Sequence, residues 1–325
     1  MSHFKPAVCV IIPFYQLTPE PLIRAIHSIL AQQGVDKPLV LIVDDGSPVS
    51  AQKIIDEHFP AHKEFIRVIV QKNSGAAKAR NTGLDNVPDT TRYIAFLDSD
   101  DEWTPHHLSN ALRMFEMGCD FYFADHKRSE WHEGKFNLAS FSPDQHKCLD
   151  ESASLYKYTG DILFPIMNDH LIQTSTVVFR RSAMQDIRFP VALVLGEDEI
   201  FWVKAMRCAG KIGFCRNIEV LMGKGVNISQ GGDWGNERSF QLITQNLRYW
   251  QSIPDLLPAD AQLETLRKLK IDQLRHNLAA SVWHRLMRGK SLPIKPIADF
   301  TRADPAWLFS LWNVLFNRIT RKQHD

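Results

Sequence analysis

Four short apolar runs constrain this chain more than anything else in it: Val8 to Ile12, Leu39 to Val43, Ile66 to Val70 and Tyr93 to Leu97, with starts 31, 27 and 27 residues apart. Each is almost unbroken in β-branched and aliphatic side chains, the pattern of a strand covered on both faces. Such a spacing holds one helix and two loops per repeat, so the first 125 residues are expected to build a parallel α/β sheet. The intervening segments carry helix signals. Thr18 and Pro19 open the segment Pro19 to Gln33, with Gly34 beyond it, and Thr104 and Pro105 open His106 to Met117, with Gly118 beyond it. A capping hydroxyl, an early proline and a terminal glycine are start and stop signals with known mechanics.

Beyond Asp125 the alternation loosens. Glu130 to Thr159 is polar and irregular, Leu171 to Arg180 reads as a strand, Glu197 to Ala209 as a helix stopped by Gly210, and Gly223 to Gly235 as a glycine-rich loop. After Pro258, Leu263, Leu266, Leu269, Leu274, Leu278, Val282 and Leu286 recur near helical spacing up to Gly289. A boundary near Gly232 divides the expected organisation. An α/β domain occupies 1–232, with halves 1–125 and 126–232, and a helical extension occupies 233–325.

Composition narrows the class. With 44% hydrophobic and 23% charged residues the chain has ample apolar material for a core. No window of eighteen consecutive apolar residues occurs, and Met1 to Pro6 lacks the apolar run of a secretory leader, so a cytoplasmic protein is expected. The five cysteines are odd in number, scattered and free of any CxxC pair, which reads as reduced, mostly buried thiols rather than a disulfide framework or zinc site. His106 and His107 are adjacent, point to different sides of a helix, and read as surface residues. GxGxxG and P-loop fingerprints are absent.

The carboxylates gather where a parallel sheet places a ligand. Asp44, Asp45, Gly46 and Ser47 follow the second run, and Asp98, Ser99, Asp100 and Asp101 follow the fourth. Open α/β sheets bind ligands at the carboxyl ends of their strands. Taken alone, Asp-Asp-Gly-Ser is an ordinary turn. The second cluster is more demanding, because crowded carboxylates repel one another and are relieved best by a hard divalent cation that keeps water and substrate phosphates.

Together, VCVIIPFY (8–15), LIVDDGS (41–47), NSGAAKARNTGL (73–84) and IAFLDSDDEW (94–103), followed by QTSTVVFRRS (173–182) and LGEDEIFW (195–202), resemble the inverting family 2 glycosyltransferases of the GT-A fold. The resemblance implies a nucleotide-sugar donor, a uridine diphosphate sugar first, and a divalent cation, Mn or Mg. Pro13, Phe14 and Tyr15 match the segment lining the nucleoside pocket, Asp45 the acid that meets the base, with Asp44 beside it. Asp98 and Asp100 match the DxD motif of the metal and diphosphate, and Asp101 stands next to them. Gly75, Lys78 and Arg80 match the donor-side loop and helix, with a structural ion pair to a rim aspartate as the other reading of Arg80. Glu197 and Asp198 match the acidic pair whose aspartate removes the acceptor proton. The favoured assignment is Asp198 as base and Glu197 as its neighbour, although a carboxylate at a helix start also serves as a cap.

The chain departs from the family where many members carry a metal-binding histidine. Here stand Gly223, Lys224, Gly225, Val226, Asn227, Ile228 and Ser229, and a protonated Lys224 neutralises phosphate but ligates no metal. Gln230 to Trp234 resembles a mobile loop over the donor. The resemblance implies a saccharide or lipid-linked saccharide acceptor and a bacterial surface polysaccharide as product, with acceptor choice lodged in Glu130 to His170. Two other classes were weighed. A nucleotidyltransferase calls for a glycine-rich basic loop after the first strand, and Pro13 to Glu20 contains no Gly, Lys or Arg. An inactive nucleotide-sugar-binding or partner-binding protein would have lost its base, and Glu197 and Asp198 are present.

Net charge is +1, yet from Gln262 onward twelve Lys and Arg face five Asp and Glu. Within this basic tail Ala306 to Phe316 holds Trp307, Leu308, Phe309, Leu311, Trp312, Val314, Leu315 and Phe316, followed by Arg318, Arg321 and Lys322. A helix over 306–319 is too short to span a bilayer core, which needs about 20 residues. It suits either an anionic membrane surface or packing on the enzyme. The aromatics form one block instead of alternating with cations, so no nucleic-acid partner is expected.

Overall fold

The computed structural model describes residues 6–139, 141–224 and 235–312. Contacts divide them into two units, the first holding residues up to 192 and from Glu197 to the end of the sheet, the second 193–196 and the C-terminal helices.

The four apolar runs are strands β1 (Val8–Phe14), β2 (Leu39–Asp44), β3 (Ile66–Val70) and β4 (Tyr93–Phe96). They pair in parallel in the order β3-β2-β1-β4. Chain connections reverse direction between β1 and β4, the point at which an open α/β sheet opens a crevice. β3 is the sheet edge, and this explains its departure from full burial: Arg67 is exposed and Val70 is 71% exposed.

Helices α1 (Glu20–Leu30), α2 (Ala51–His58) and α4 (His107–Glu116) cover one face. There Val8, Val10, Ile12 and Phe14 meet Leu22, Ile26, Ile29, Ile54, Leu108 and Met114 in one core. α3 (Ala76–Asp85) lies on the other face, so close to β1 that a Cβ on Gly83 would fall 2.3 Å from Ile11 Cγ2. Two expected caps are not made. α1 begins after Pro19 and α4 after His106, neither with a side-chain cap, because the Thr18 and Thr104 hydroxyls do not bond the first amides.

Past β4 the sheet becomes mixed. β5 (Glu102–Trp103), β6 (Phe121–Arg128), β7 (Lys147–Asp150), β8 (Leu155–Lys157), β9 (Val178–Arg180) and β10 (Ile212–Met222) extend it in the order β4-β9-β6-β10-β8-β7. β9 runs antiparallel between β4 and β6, and β5 pairs with β10 off the main path. The strand expected over Leu171 to Arg180 is confined to its last three residues, because 174–176 forms a 3-10 turn. Short helices α5 (Lys135–Leu138) and α6 (Leu163–Asp169) precede α7 (Glu197–Cys208), which buries Phe201 and Trp202 against Phe96 and Phe189.

One further reading is corrected here. His107 is not a surface residue. It is fully buried, with Nδ1 2.9 Å from Glu219, which also accepts from Tyr122 and Asn110. Of the cysteines, Cys148 and Cys208 are exposed, while Cys9, Cys119 and Cys215 are buried.

The second unit packs α8 (Glu237–Leu256), α9 (Ala261–Met287) and α10 (Ile294–Ala303). Asn236 and Asp260 cap α8 and α9 through the Ser239 and Leu263 amides. Leu263, Leu266, Leu278 and Val282 face inward as their spacing suggests, but Leu269 and Leu286 are about half exposed and Ile271 is buried instead. Arg275 ties α9 to Asp304 through two hydrogen bonds of 2.8 and 3.1 Å. Residues 307–312 are helical. Trp307 is buried against Phe300 and donates to Thr301 Oγ1, so it serves the unit's core, whereas Phe309 and Trp312 are 77% and 67% exposed. The remainder of the tail, like most of the Gly223 to Gly235 loop, lies outside the described residues.

Candidate active site

The ends of β1, β2 and β4 are laced together by short polar side chains. Gln16 donates from its amide to Ser47 Oγ and from Nε2 to Ser99 Oγ, at 2.9 and 3.0 Å, joining all three loops. Asp44 accepts from the amides of Ser47 and Ala51 with its two oxygens, at 2.9 and 3.0 Å. Asp45 points the other way. Its Oδ1 accepts from Gln71 Nε2 and the Ser74 amide, and its Oδ2 from the Gly75 amide, all within 2.8 Å. The loop after β3 is thereby folded over the end of β2, and Lys78 stands exposed on α3 beside it.

The second carboxylate cluster separates into two parts. Asp98 and Asp100 remain on the open side of their loop, the Asp98 side chain 32% exposed. Asp101 turns inward, accepting from Ser175 Oγ and from the Gly223 amide at 2.8 Å. Burial, with Asp98 and Asp100 adding to it, pushes its carboxyl up to about 8. Gly223 is required by this contact: a Cβ there would lie 1.8 Å from the Asp100 carbonyl oxygen. Ser175 Oγ also accepts from the Asp98 amide at 2.9 Å, so one hydroxyl positions both ends of the DxD loop.

Among the described residues no three acidic, histidine or cysteine side chains converge on one point. The donor set still suits magnesium or manganese, which bind through one or two carboxylates and complete their shell with water and substrate phosphate. Asp98 and Asp100 are the residues able to hold such an ion.

Across the rim, α7 begins with Glu197, Asp198 and Glu199 in succession. Arg80, buried on α3, bridges the two sides, donating from Nη2 to Asp98 at 2.9 Å and from Nη1 to Glu197 at 3.2 Å. Burial works against its charge, but Asp98 and Glu197 together hold the guanidinium above its ordinary value. Burial likewise raises Glu197, opposed by Arg80. Glu199 is buried and paired with His170 Nδ1. Asp198 accepts from the amide of Glu199 at 2.9 Å. Burial first, then the charges of Glu197 and Glu199, push Asp198 up to about 7.

Three sequence-based assignments change, and for Arg80 one of two readings is seen. Phe14 belongs to the core and not to a nucleoside pocket, because the pleat that turns Pro13 and Tyr15 outward turns Phe14 in. Asp44 caps its own turn and α2. Asp101 is buried and anchors the loop, one oxygen accepting from Ser175 Oγ and the other from the Gly223 amide. For Arg80 the ion pair that was one of its two readings is made, with Asp98 and with Glu197. Gln16, Ser175 and His170 were not singled out from sequence. Gln16 and His170 follow no local pattern, while Ser175 lay within a quoted motif.

Comparison with known proteins agrees with this geometry. The family model described as "Glycosyl transferase family 2" matches residues 9–188. The succinoglycan biosynthesis protein ExoW of Rhizobium meliloti is 30% identical over 96% of this chain and 98% of its own. The putative teichuronic acid biosynthesis glycosyltransferase TuaG of Bacillus subtilis is 36% identical over 38% of this chain and 48% of its own. Among solved structures, S. aureus TarS 1-349 in complex with UDP-GlcNAc superposes with a TM-score of 0.56 at 18% identity, covering 94% of this chain and 81% of that one. The mannosyltransferase PcManGT from Pyrobaculum calidifontis, in complex with GDP-Man and Mn2+, gives 0.55 at 17% identity, covering 95% and 86%. The sheet is therefore of the GT-A type, and with a DxD loop facing an acidic helix start across it, the chain belongs to glycosyl transferase family 2.

Proposed function

We propose that the chain transfers a hexose from a nucleoside diphosphate donor, a uridine diphosphate sugar first, to a hydroxyl of a saccharide or lipid-linked saccharide. The transfer is a single displacement that inverts the sugar carbon. The first turn of α7 carries this reading: Glu197 and Glu199 each pair with a basic side chain, whereas Asp198 makes no ion pair among the described residues. A half-buried carboxyl near 7 with no ion-pair partner among the described residues is poised to take a proton at neutral pH.

In this reading the acceptor hydroxyl passes its proton to Asp198 as its oxygen forms a bond to the anomeric carbon and the bond to the diphosphate breaks. A divalent cation held by Asp98 and Asp100 would neutralise charge on the departing diphosphate. Arg80 keeps the two acidic sides of the site from repelling each other. Pro13, Tyr15, Asp45, Gly75 and Lys78 form the donor side, and the segment between β6 and α7 the acceptor side. Complexes of the solved neighbours with UDP-GlcNAc and GDP-Man support a nucleotide sugar. The names of the relatives support a surface polysaccharide as product. We place the enzyme at the cytoplasmic face of the membrane, its tail resting on anionic lipid. Among the described residues no helix is long and apolar enough to cross one.

The test is thermal unfolding with UDP-glucose, UDP-galactose, UDP-N-acetylglucosamine and GDP-mannose, each with and without manganese. A ligand at 100 times its Kd adds about 2.7 kcal/mol of stability. Metal-dependent protection by a uridine sugar is expected. Asp198→Asn should leave that protection intact and lower transfer by about 10²- to 10⁴-fold. Full activity of the variant would remove Asp198 as base.

A further inference from the structure

We propose that Arg128 and Lys135, set together on the indole of Trp131, bind a phosphate group of the acceptor, so that the acceptor is a saccharide phosphate or a saccharide linked to lipid through diphosphate. The inference rests on the reading of the segment after β6 as the acceptor side of a transferase.

The cluster stands at the carboxyl end of β6. Arg128, the last residue of that strand, is in register with Met222 of β10, and the next residue, Gly223, packs against the Asp100 carbonyl. The cluster therefore borders the DxD loop. After Arg128 the chain turns: the Trp131 amide donates to the Arg128 carbonyl at 3.0 Å, and Lys127 Nζ to the His132 carbonyl at 3.2 Å. Asp125 ties the two ends of the turn. Its Oδ1 accepts from the His126 and Phe136 amides at 2.8 and 3.0 Å, and its Oδ2 occupies the place of a side chain at Gly134, where a Cβ would fall 2.0 Å away. The loop so fixed brings the Arg128 guanidinium carbon to 5.4 Å and Lys135 Nζ to 5.9 Å from the centre of the Trp131 ring.

An indole attracts a cation, but two cations at one ring repel each other. Arg128, Trp131 and Lys135 are each half-buried, and among the described residues neither cation makes an ion pair. Burial disfavours the charge of Lys135 and Arg128 adds to the effect, with Asp169 and Asp125 opposing it only in part. Glu130, another acid near Arg128, is fully exposed and hydrogen-bonded to Ser129. His126 supplies an independent observation. It is 1% exposed, its ring centre lies 5.9 Å from that of Trp131, and among the described residues neither of its nitrogens has a hydrogen-bond partner. Burial, then Lys135 and Arg128, push its pKa down to about 3, so it is neutral and carries one N–H with no described acceptor. An anion at this ring relieves the repulsion of the two cations and offers that N–H an acceptor. A guanidinium beside an ammonium suits phosphate, with about −1.5 to −2 charge and three acceptor oxygens, better than a singly charged carboxylate. With the donor diphosphate met at Asp98 and Asp100, the acceptor is the source of this phosphate.

The experiment reads the site itself by 1H,15N NMR of the full chain, the Trp131 indole signal being assigned with Trp131→Phe. The probes are glucose 1-phosphate and glucose linked to farnesyl diphosphate, with methyl glucoside as neutral control, each titrated with and without saturating UDP and manganese. At least one phosphate probe should move the Trp131 signal, methyl glucoside should not, and UDP with manganese should leave the shift in place. A shift with the farnesyl compound alone makes the acceptor lipid-linked, and one with glucose 1-phosphate as well shows that the phosphate suffices. Arg128→Gln and Lys135→Gln should each weaken binding about tenfold or more, while Lys135→Arg retains it. No shift with either phosphate, an equal shift with methyl glucoside, or displacement by UDP with manganese would overturn the inference. If the phosphates bind as expected but the chain transfers from no nucleotide sugar, the transferase reading fails and the phosphate site stands. If transfer proceeds while Arg128→Gln and Lys135→Gln bind the probes like the parent, the transferase reading stands and the inference fails.

Discussion

Replacing Arg80 by methionine tests whether the two acidic sides of the site depend on one buried cation. The guanidinium is 7% exposed, Glu197 15% and Asp98 32%. Stranding a buried charge by removing its partner costs about 3–5 kcal/mol. Solvent reaches Asp98 and discounts its share, so Glu197 dominates, and about 3 kcal/mol is expected at pH 7.5. For a unit of this size each kcal/mol lowers Tm by about 2–4 °C, which gives a fall of about 6–12 °C. The sign of the pH dependence follows from the same geometry. Burial already raises the Glu197 carboxyl, and without Arg80 only a backbone hydrogen bond opposes it, so the side chain takes up a proton at higher pH than in the parent and the penalty shrinks as pH falls. Scanning calorimetry of parent and variant at pH 5 and 7.5, read as the difference at each pH, measures this. Arg80→Met combined with Glu197→Gln should recover most of the loss. A fall under about 2 °C at pH 7.5, an equal fall at both pH values, or a double variant no better than the single would refute the reasoning.

Asp100→Ala should abolish metal-dependent binding of UDP-glucose in calorimetry while leaving Tm unchanged or slightly higher, because one of three crowded carboxylates is removed; unchanged binding would refute the metal assignment. Gly223→Ala should lower both Tm and metal-dependent binding, since its Cβ would sit 1.8 Å from the Asp100 carbonyl oxygen and must displace the DxD loop; a variant equal to the parent in both would show that the contact is dispensable. A chain ending at Pro305 should lose co-sedimentation with phosphatidylglycerol vesicles that the full chain shows at low salt and loses at high salt, as each basic residue near the surface contributes about 1 kcal/mol. Equal sedimentation of the two would end the membrane reading.

The first four strands were legible in the sequence because a strand covered on both faces is apolar throughout, whichever elements cover it. The DxD loop and the acidic start of α7 were legible for a similar reason, each being contiguous and taking its place from the element beside it. β6 and β10 escaped notice because polar residues interrupt them, Asp125 to Arg128 closing β6 and Arg216, Asn217 and Glu219 lying within β10, and the order of strands past β4 carries no local signal at all. Within the motifs, the pleat decided between neighbours. Phe14 turns to the core and Tyr15 to the rim, Asp44 to its own turn and Asp45 to the loop after β3. Arg80 could be read either as a donor cation or as half of an ion pair, and only folding chose, by setting it between partners 18 and 117 residues away. His170 meets Glu199 across 29 residues from a strained cap that no periodicity announces. Apolar period and motif are properties of a few consecutive residues and survive in the one-dimensional chain. Which charge neutralises which depends on distances that exist only once the sheet and its helices have closed on one another.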